Sequence, residues 1–209
     1  FDLPSVALYV TDDLIRVTRG DYADAQLLVS EIMVLANECA ASYTRTHNIP
    51  SLYRTQVAPP VQATAHASTL PPSLRSYYLL QHMNQASYAP TPLPHSGLGL
   101  AAYSHATSPI RRYADIVVHR QLKAHLSQQQ LPYTMERVTA LAEHINTVSK
   151  HCQNVQRSSE RFWGLMLMAM HSDQRIWRAL VLECAEVDER VLGEGIDRYY
   201  AVRAVVWFV

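Results

Sequence analysis

The hydrophobic and polar positions of this chain change their period along its length, and the first pattern is short and β-prone. Val6–Val10 and Leu14–Thr18 are runs rich in branched and aliphatic residues, and Thr11-Asp12-Asp13 separates them. Two such runs joined by a short polar segment predict a β-hairpin. The adjacent carboxylates of Asp12 and Asp13 also raise a metal-binding interpretation, but turn chemistry is preferred because aspartate favours tight turns.

A helical period follows. Asp21 suits the N-cap of a helix that extends to about Arg45, and Asp24 stands at the capping-box spacing. Glu31 and Asn37 interrupt the apolar face; each is a solvated position, a satisfied core group or, for Glu31, a hydrogen-bond acceptor that faces a cleft. The apolar positions recur at the spacing of one wide helical face and comprise Leu27, Leu28, Ile32, Leu35, Ala36, Cys39 and Ala40.

The middle of the chain gives weaker signals. Ile49–Gln56 is strand-like, and a helix is predicted within Pro71–Met83. Val57–Leu70 is apolar and rich in small residues, and it is either a loop or a short helix. The proline-rich stretch Tyr88–Pro94 predicts an extended loop.

The last third begins with a long helical pattern and ends with β-prone runs. A helix is predicted from Thr134 to about Met170, and strands are predicted over Ile176–Val187 and Ile196–Val209, with a Gly193-Glu194-Gly195 turn between them. The two strands suit the start of a small β-barrel. The predicted fold class is α+β, with a helix-rich mixed core domain followed by an incomplete barrel.

One short stretch combines a helix start with concentrated positive charge. Ser108 is a good N-cap residue, with Thr107 as the alternative, and Pro109 fits the first helical position. Arg111 and Arg112 would then lie in the first turn, where the helix dipole favours acids. Free N–H groups, hydroxyls and two guanidinium groups at one helix end suit a phosphate.

The same helix is predicted to continue to about Ser127. Asp115 comes one turn after Arg111 and can orient it, and His119 and Arg120 follow. An ordinary capped helix with two solvated arginines would have the same pattern. The residues alone therefore leave a phosphate site and a plain helix start both open.

Composition limits the class of protein without selecting a partner. Hydrophobic residues make up 48% of the 209 residues and charged residues 17%, which suits one large domain or a domain with a small appendage. Lys+Arg and Asp+Glu each number 18, so overall charge does not indicate nucleic acid and any such site must be local. No apolar run of about 18 residues is present, so no membrane span is predicted.

Cysteine and histidine usage predicts no metal ligands. Cys39, Cys152 and Cys184 are far apart and odd in number, which favours reduced core or surface thiols of an intracellular protein. The expected location is the cytoplasm. The ten histidines are scattered and form no HExxH motif. The chain starts with Phe1, and we expect it to be the inside of a longer protein.

Three stretches in a fixed order carry a family resemblance. They are VSEIMVLANECAA at Val29–Ala41, IPSLYRTQ at Ile49–Gln56 and GLGLAAYSHATSPIRRYADIVVHRQL at Gly97–Leu122. With these residues the chain resembles the ribonuclease II (RNB) family of processive 3′→5′ exoribonucleases. The resemblance implies that residues 1–172 are the C-terminal portion of the RNB catalytic domain and that residues 173–209 start an OB-fold RNA-binding domain.

The resemblance also implies a reaction and its residues. Single-stranded RNA would be hydrolysed from its 3′ end to nucleoside 5′-monophosphates, with Mg²⁺ bound by aspartates to activate water. Arg111 would be the catalytic arginine that stabilises the developing negative charge, and Glu31 would clamp the terminal nucleotide. The implied substrate-binding residues are Glu31, His105, Thr107, Ser108, Arg112, Tyr113, Asp115 and His119.

The metal-binding aspartates of the family, in a pattern like D-x(5)-D-x-D-D, are missing here, and Asp12-Asp13 lacks that spacing. We therefore expect the C-terminal part of a complete enzyme, inactive alone, whose Mg²⁺ ligands lie outside this segment. The alternative is a non-catalytic homologue that binds RNA through the arginine site. A helical interaction protein without an RNA role is a third interpretation. The expected partner is single-stranded RNA bound by a monomer, without a membrane or a small-molecule cofactor.

Overall fold

A computed structural model describes residues 5–11, 14–20, 24–70, 72–170, 178–186 and 200–207. The chain divides into two compact units. The first is built on residues 21–158, and the second on residues 4–20 and 159–209. The predicted boundary at residue 172, between a catalytic and an RNA-binding domain, stays a prediction.

The described elements are short strands and helices of unequal length. In chain order they are β1 (Ser5–Thr11), β2 (Leu14–Gly20), α1 (Asp24–Thr46), β3 (Tyr53–Thr55), α2 (Val61–Thr69), α3 (Pro72–His82), β4 (Ser87–Ala89), α4 (Tyr113–Leu126), α5 (Met135–Met170), β5 (Arg178–Glu186) and β6 (Tyr200–Trp207). The helices with small two-stranded sheets confirm the predicted α+β class. No described helix combines the length and the apolar content needed to cross a membrane.

The strand pairs predicted near the two ends of the chain form antiparallel two-stranded sheets. β1 pairs with β2 residue for residue, so the predicted hairpin is confirmed. β5 pairs with β6, with a register shift between Val181 and Glu183 that is typical of a β-bulge. The predicted turns at Asp12-Asp13 and Gly193-Glu194-Gly195 lie outside the described residues. The predicted β-barrel, of which this sheet would be a part, stays a prediction.

Both long predicted helices are present, but α1 is buried over only half of its length. Its buried residues are Asn37, Ala41 and Thr44. The apolar positions nearer its start are exposed in the described structure; Leu27 is 56% and Leu28 is 62% exposed. Helical spacing creates an apolar face, whereas burial needs a second element that packs on it. The predicted N-cap of this helix, Asp21, lies outside the described residues.

The middle of the chain differs most from its prediction. Only Tyr53–Thr55, in the second half of the predicted strand Ile49–Gln56, form β3, and the partner strand β4 overlaps the stretch predicted as a loop. Val57–Leu70, for which the sequence left a loop and a short helix open, contains the helix α2. Arg75 of α3 donates hydrogen bonds to the carbonyls of Ala67, Ser68 and Leu70 at 3.2–3.4 Å, which satisfies the C-terminal end of α2. Arg75 of α3 thus takes the place of a C-terminal capping residue next to α2, such as glycine.

The main core of the first unit lies between α4 and α5. Its buried positions on α4 recur three and four residues apart, as expected for one face of a helix. The cluster comprises Leu52, Tyr88, Ala114, Val117, Val118, Val138, Leu141, Ala142 and Ile145. One polar residue of α4, Gln121, is also fully buried.

Gln121 ties two loops to α4. Its amide nitrogen donates to the carbonyls of Pro50 (2.7 Å) and Tyr133 (2.9 Å), and its amide oxygen accepts from the N–H of Tyr133 (3.1 Å). These main-chain groups are partly buried, so bonds inside the protein replace part of their hydration. Gln121 therefore fixes both the approach to β3 and the loop between α4 and α5.

Replacing Gln121 with leucine should lower the free energy of unfolding by about 2–4 kcal/mol, because three main-chain groups lose their partners while the side-chain volume is nearly kept. Chemical denaturation followed by circular dichroism measures this change. Gln130→Leu in the exposed loop before α5 is the matched control and should change stability by less than about 0.5 kcal/mol. Equal stability of the two variants would contradict the role given to Gln121.

Candidate functional site

The segment before α4, residues 108–112, forms a tight turn and not the first turn of a helix; we call it the arginine turn. The N–H groups of Arg111 and Arg112 both donate to the carbonyl of Ser108, at 3.2 and 3.0 Å. Tyr113 is the first residue of α4, and Arg112 is its N-cap, with extended φ and ψ of −126° and 116°. The predicted helix start, with Ser108 as N-cap and Pro109 as first helical residue, is therefore wrong.

Asp115 explains the late start of the helix. It is the third residue of α4 and is fully buried. One carboxylate oxygen accepts hydrogen bonds from the N–H of Ser108 (2.7 Å) and from a terminal guanidinium nitrogen of Arg112 (2.9 Å), and the other accepts from Arg112 Nε (2.9 Å). An acidic side chain at this helical position reaches back to the residues before the helix, as in a capping box. Here it fixes the arginine turn against α4.

The two arginines of the turn have different surroundings. Arg112 forms a two-point ion pair with Asp115, which compensates its charge. Arg111 is exposed, and its guanidinium makes no hydrogen bond or ion pair with another residue that the structure describes. The prediction that Asp115 orients Arg111 is wrong, because the carboxylate binds the adjacent arginine. Arg111 thus presents a guanidinium that an external anion can reach.

A polar network holds the chain that leads into the arginine turn. The Asn37 amide nitrogen donates to Tyr103 Oη (2.9 Å) and Thr107 Oγ1 (3.3 Å), and its oxygen accepts from the N–H of Ala106 (2.7 Å). His119 Nε2 hydrogen-bonds the Ala106 carbonyl at 2.6 Å. Side chains of α1 and α4 therefore hold the same segment. Asn37 is missing from the predicted site residues, although its interruption of the apolar face of α1 was an available signal.

His105 lies among aromatic rings next to this network. Its Nδ1 hydrogen-bonds Tyr88 Oη at 2.7 Å, and its ring contacts Tyr88 and Tyr103 edge-on. Burial, followed by the positive charges of Arg112 and Arg54, lowers the pKa of His105 to about 4. Burial also raises the pKa of the Tyr88 hydroxyl. Near neutral pH His105 and Tyr88 are therefore uncharged hydrogen-bonding groups.

The predicted site residues do not all meet. Most lie in one cluster joined by the contacts given above: His105, Thr107, Ser108, Arg112, Asp115 and His119. Arg111 and Tyr113 flank this cluster and are exposed. Glu31 lies six residues before Asn37 on α1, about 9 Å along the helix axis. It is exposed and makes no hydrogen bond or ion pair with another described residue.

The residues around Arg111 do not fit a Mg²⁺ ion. Within the described ranges, no group of three or more His, Cys, Asp or Glu side chains could hold a metal. Asp115 is the acid nearest in sequence to Arg111, and both of its oxygens already accept hydrogen bonds from Ser108 and Arg112. Asp12-Asp13 lies outside the described residues. The described residues around Arg111 therefore offer guanidinium, hydroxyl and N–H groups but no carboxylate cluster.

Several curated ribonucleases match the sequence. An uncharacterized ribonuclease of Synechocystis sp. is 31% identical over 179 residues, which cover 85% of this chain and 27% of the relative. The chloroplastic/mitochondrial ribonuclease II of Arabidopsis thaliana is 31% identical over 174 residues, which cover 82% of this chain and 22% of the relative. The chain thus spans about a quarter of the length of these relatives.

Solved structures share the fold. The structure of Mycoplasma genitalium RNase R in complex with ribose-methylated single-stranded RNA matches with a TM-score of 0.71 at 21% identity. The match covers 85% of this chain and 33% of the RNase R chain. The structure of yeast Ssd1, a pseudonuclease, matches with a TM-score of 0.61 at 22% identity. This match covers 80% of this chain and 25% of the Ssd1 chain. At these identities the likeness concerns the fold alone, and it extends to a nuclease and a pseudonuclease alike.

A family model matches a defined part of the sequence. The RNB domain model covers residues 1–128, which is more than half of the chain. The match includes α1, the arginine turn and the whole of α4. The chain therefore belongs to the RNB family.

Proposed function

We propose that this chain is the arginine-bearing part of an exoribonuclease, which hydrolyses single-stranded RNA processively from the 3′ end to nucleoside 5′-monophosphates. The contrast between the two arginines of the turn carries the proposal. Arg112 is paired with Asp115, whereas Arg111 is exposed on a turn that is bonded to α4. The names of the relatives and the RNA in the M. genitalium complex support RNA as the substrate class.

Arg111 has the chemistry that phosphodiester hydrolysis needs from a cationic residue. Negative charge grows on the phosphate oxygens as the nucleophile attacks, and a guanidinium can donate two parallel hydrogen bonds to them. The rest of the turn lowers the cost of this interaction. Because Asp115 and Asn37 fix the backbone around it, only the Arg111 side chain has to be ordered when RNA binds.

The neighbouring residues would bind or position the substrate. Asp115 and His119 act through the backbone and Arg112, so we assign them positioning roles. Glu31 would clamp the terminal nucleotide from α1. The remaining hydroxyl, imidazole, guanidinium and phenol groups would contact phosphate or sugar, and they belong to His105, Thr107, Ser108, Arg112 and Tyr113.

The metal-binding half of the reaction would come from elsewhere. Hydrolysis by this family is expected to need carboxylates that hold Mg²⁺, and the described residues supply no such cluster. We expect the ligands from sequence outside this segment, so residues 1–209 alone should not cut RNA. The intact enzyme is expected to be a cytoplasmic monomer, with β5 and β6 in an OB-fold that contacts RNA.

A second candidate is a non-catalytic RNA-binding homologue that keeps the arginine site. This candidate is supported by the fold that the chain shares with yeast Ssd1, a pseudonuclease. In such a protein Arg111 would hold a phosphate without turnover. Arg111→Ala would then weaken RNA binding and reduce the slope of log K against log salt by about 0.7, the value for one contact to a single strand. An aspartate cluster in the adjoining upstream sequence would argue against it.

In the intact enzyme, Arg111→Ala should lower kcat by on the order of 10²–10³ with a small effect on KM, because the donor acts mainly on charge that forms in the transition state. Arg111→Lys should not restore the rate, since one ammonium cannot reproduce the planar fork. Single-turnover hydrolysis of a 5′-labelled RNA measures the effect. Arg120→Ala, which removes an exposed arginine of α4 that bonds Tyr133, is the control. An unchanged kcat in Arg111→Ala would refute the catalytic role.

His105 should make the stability of the protein fall in acid. Its folded pKa of about 4 lies below the ordinary value of 6.5, so the unfolded chain binds the proton more readily. The stabilisation is complete above pH 6.5 and is lost as the pH falls through 4, and it amounts to roughly 3 kcal/mol. Urea unfolding of wild type and His105→Gln between pH 7 and pH 4 measures it.

The difference in unfolding free energy between wild type and His105→Gln should shrink by that amount from pH 7 to pH 4. His151→Gln, which removes an exposed histidine of α5, should show a pH dependence like that of the wild type. A constant difference between wild type and His105→Gln would show that the native protein tolerates a charged imidazole at residue 105.

A further inference from the structure

The C-terminal ends of α1 and α4 bring two histidines together. His47 directly follows the last residue of α1, and His125 is the next-to-last residue of α4. Although they are far apart in the sequence, their ring centroids lie 5.1 Å apart. His47 is exposed and His125 is half-buried, so an ion from solvent can reach them. From Tyr113 to His125 is about 18 Å along the axis of α4, so this pair is separate from the arginine turn.

His47 is already held in the way that metal-binding imidazoles usually are. Its Nδ1 lies 3.0 Å from the carbonyl oxygen of Tyr43, one turn earlier on α1. Because a carbonyl can only accept, Nδ1 carries the hydrogen, and the lone pair of the neutral ring is on Nε2. Histidines that bind metals commonly donate their other ring N–H to a carbonyl, which fixes the tautomer and the ring orientation. The Tyr43 ring, stacked at a centroid distance of 4.1 Å, also holds this imidazole.

His125 can offer either of its ring nitrogens. Its side chain makes no hydrogen bond or ion pair with another residue in the described ranges, and its ring contacts Tyr43 and His47 edge-on. Rotation about χ2 of a histidine has a broad energy profile, so a nitrogen can turn toward an ion beside His47 at little cost. His125 can therefore supply a second ligand without breaking an existing hydrogen bond.

The separation of the two rings suits one shared ion. With a Zn–N bond of about 2.1 Å, the ion lies about 3.2 Å from the centroid of each imidazole that binds it. Two such rings at the tetrahedral angle of about 109° have centroids about 5.2 Å apart. The observed separation is 5.1 Å, and the ring planes are inclined at 61°. A single tetrahedral ion therefore fits between the rings without a shift of either helix.

The surroundings favour a cation, and the imidazoles select its class. Both rings lie at the C-terminal end of a helix, where the dipole places partial negative charge. Arg45 and Lys123 each stand two positions before a histidine, and side chains two apart on a helix do not face each other. Imidazole nitrogen suits Zn²⁺, Cu²⁺ and Ni²⁺, whereas Mg²⁺ and Ca²⁺ prefer oxygen ligands.

We propose that His47 and His125 bind one divalent transition-metal ion and so link the end of α1 to the end of α4. Zn²⁺ is the expected ion, because it accepts the tetrahedral angle that the ring separation suits. Water completes the coordination, since no third His, Cys, Asp or Glu of the described ranges joins the pair. The same two helices hold the segment before the arginine turn through Asn37 and His119. The ion would stabilise this arrangement and would be distinct from the Mg²⁺ expected for hydrolysis.

Titration calorimetry of the intact protein with ZnCl₂ at about pH 7.5, in excess Mg²⁺, tests the site. His47→Gln and His125→Gln should each raise the Kd for Zn²⁺ at least about tenfold, because loss of an outer-shell partner already costs roughly 10–100-fold. The loss in the double variant should be smaller than the product of the two single losses, since both ligands hold one ion. His151→Gln, which removes an exposed histidine of α5, should bind like wild type.

Packing of the two rings without a metal would also produce this contact, and it predicts no change in Zn²⁺ affinity in either variant. Equal Kd values for wild type, His47→Gln and His125→Gln would therefore overturn the proposal. Far-ultraviolet circular dichroism checks that the variants fold. His47 is exposed, so His47→Gln should keep the native structure and the test does not depend on His125.

Cu²⁺ gives a spectroscopic signature that counts the ligands. Pulsed electron paramagnetic resonance of the intact protein with equimolar CuCl₂ should detect two bound imidazoles in wild type and one in His47→Gln. Zn²⁺ should also raise the Tm of wild type more than that of His47→Gln, because an ion bound to the native state stabilises it. A single bound imidazole in wild type, or an equal rise of Tm in both proteins, would overturn the proposal.

Discussion

The buried ion pair of Asp115 with Arg112 is the interaction on which the geometry of the site depends. A carboxylate removed from water needs several partners, and Asp115 finds them in one N–H group and two guanidinium nitrogens. Those bonds can form only if the chain turns sharply between Ser108 and Arg112. The same pair compensates one arginine and leaves its neighbour exposed. Two residues of identical type and adjacent position thereby acquire different chemistry.

The turn is held by elements that are far apart in the sequence. Asn37 reaches Tyr103, Ala106 and Thr107 across 66 to 70 residues, and His119 holds the Ala106 carbonyl from α4. Because α4 packs on α5 through the main core, α5 is also fixed relative to the turn. Hydrogen bonds thus position the backbone of the arginine turn, and apolar packing between α4 and α5 positions α5 relative to it.

Family membership and activity are separate questions for this chain. The RNB domain match places it in the family, whereas the same fold occurs in a nuclease and in a pseudonuclease. The described residues contribute cations and neutral hydrogen-bonding groups to the site, and Asp115 is an acid whose carboxylate is already saturated.

The sequence by itself determined the elements whose signals are local and repeated. The hairpin of β1 and β2, the helices α1 and α5, and the strands β5 and β6 follow from periodicity, and the order of residues from Gly97 to Leu122 was enough to indicate the family. Tertiary structure decided the rest. It moved the helix start from Ser108 to Tyr113, since a buried carboxylate outweighed the local capping preference of Ser-Pro. It also formed β4 where prolines indicated a loop, paired Asp115 with Arg112, and brought His47 next to His125. Each of these depends on a partner that local sequence patterns do not specify, because burial and side-chain pairing are settled only when distant segments pack.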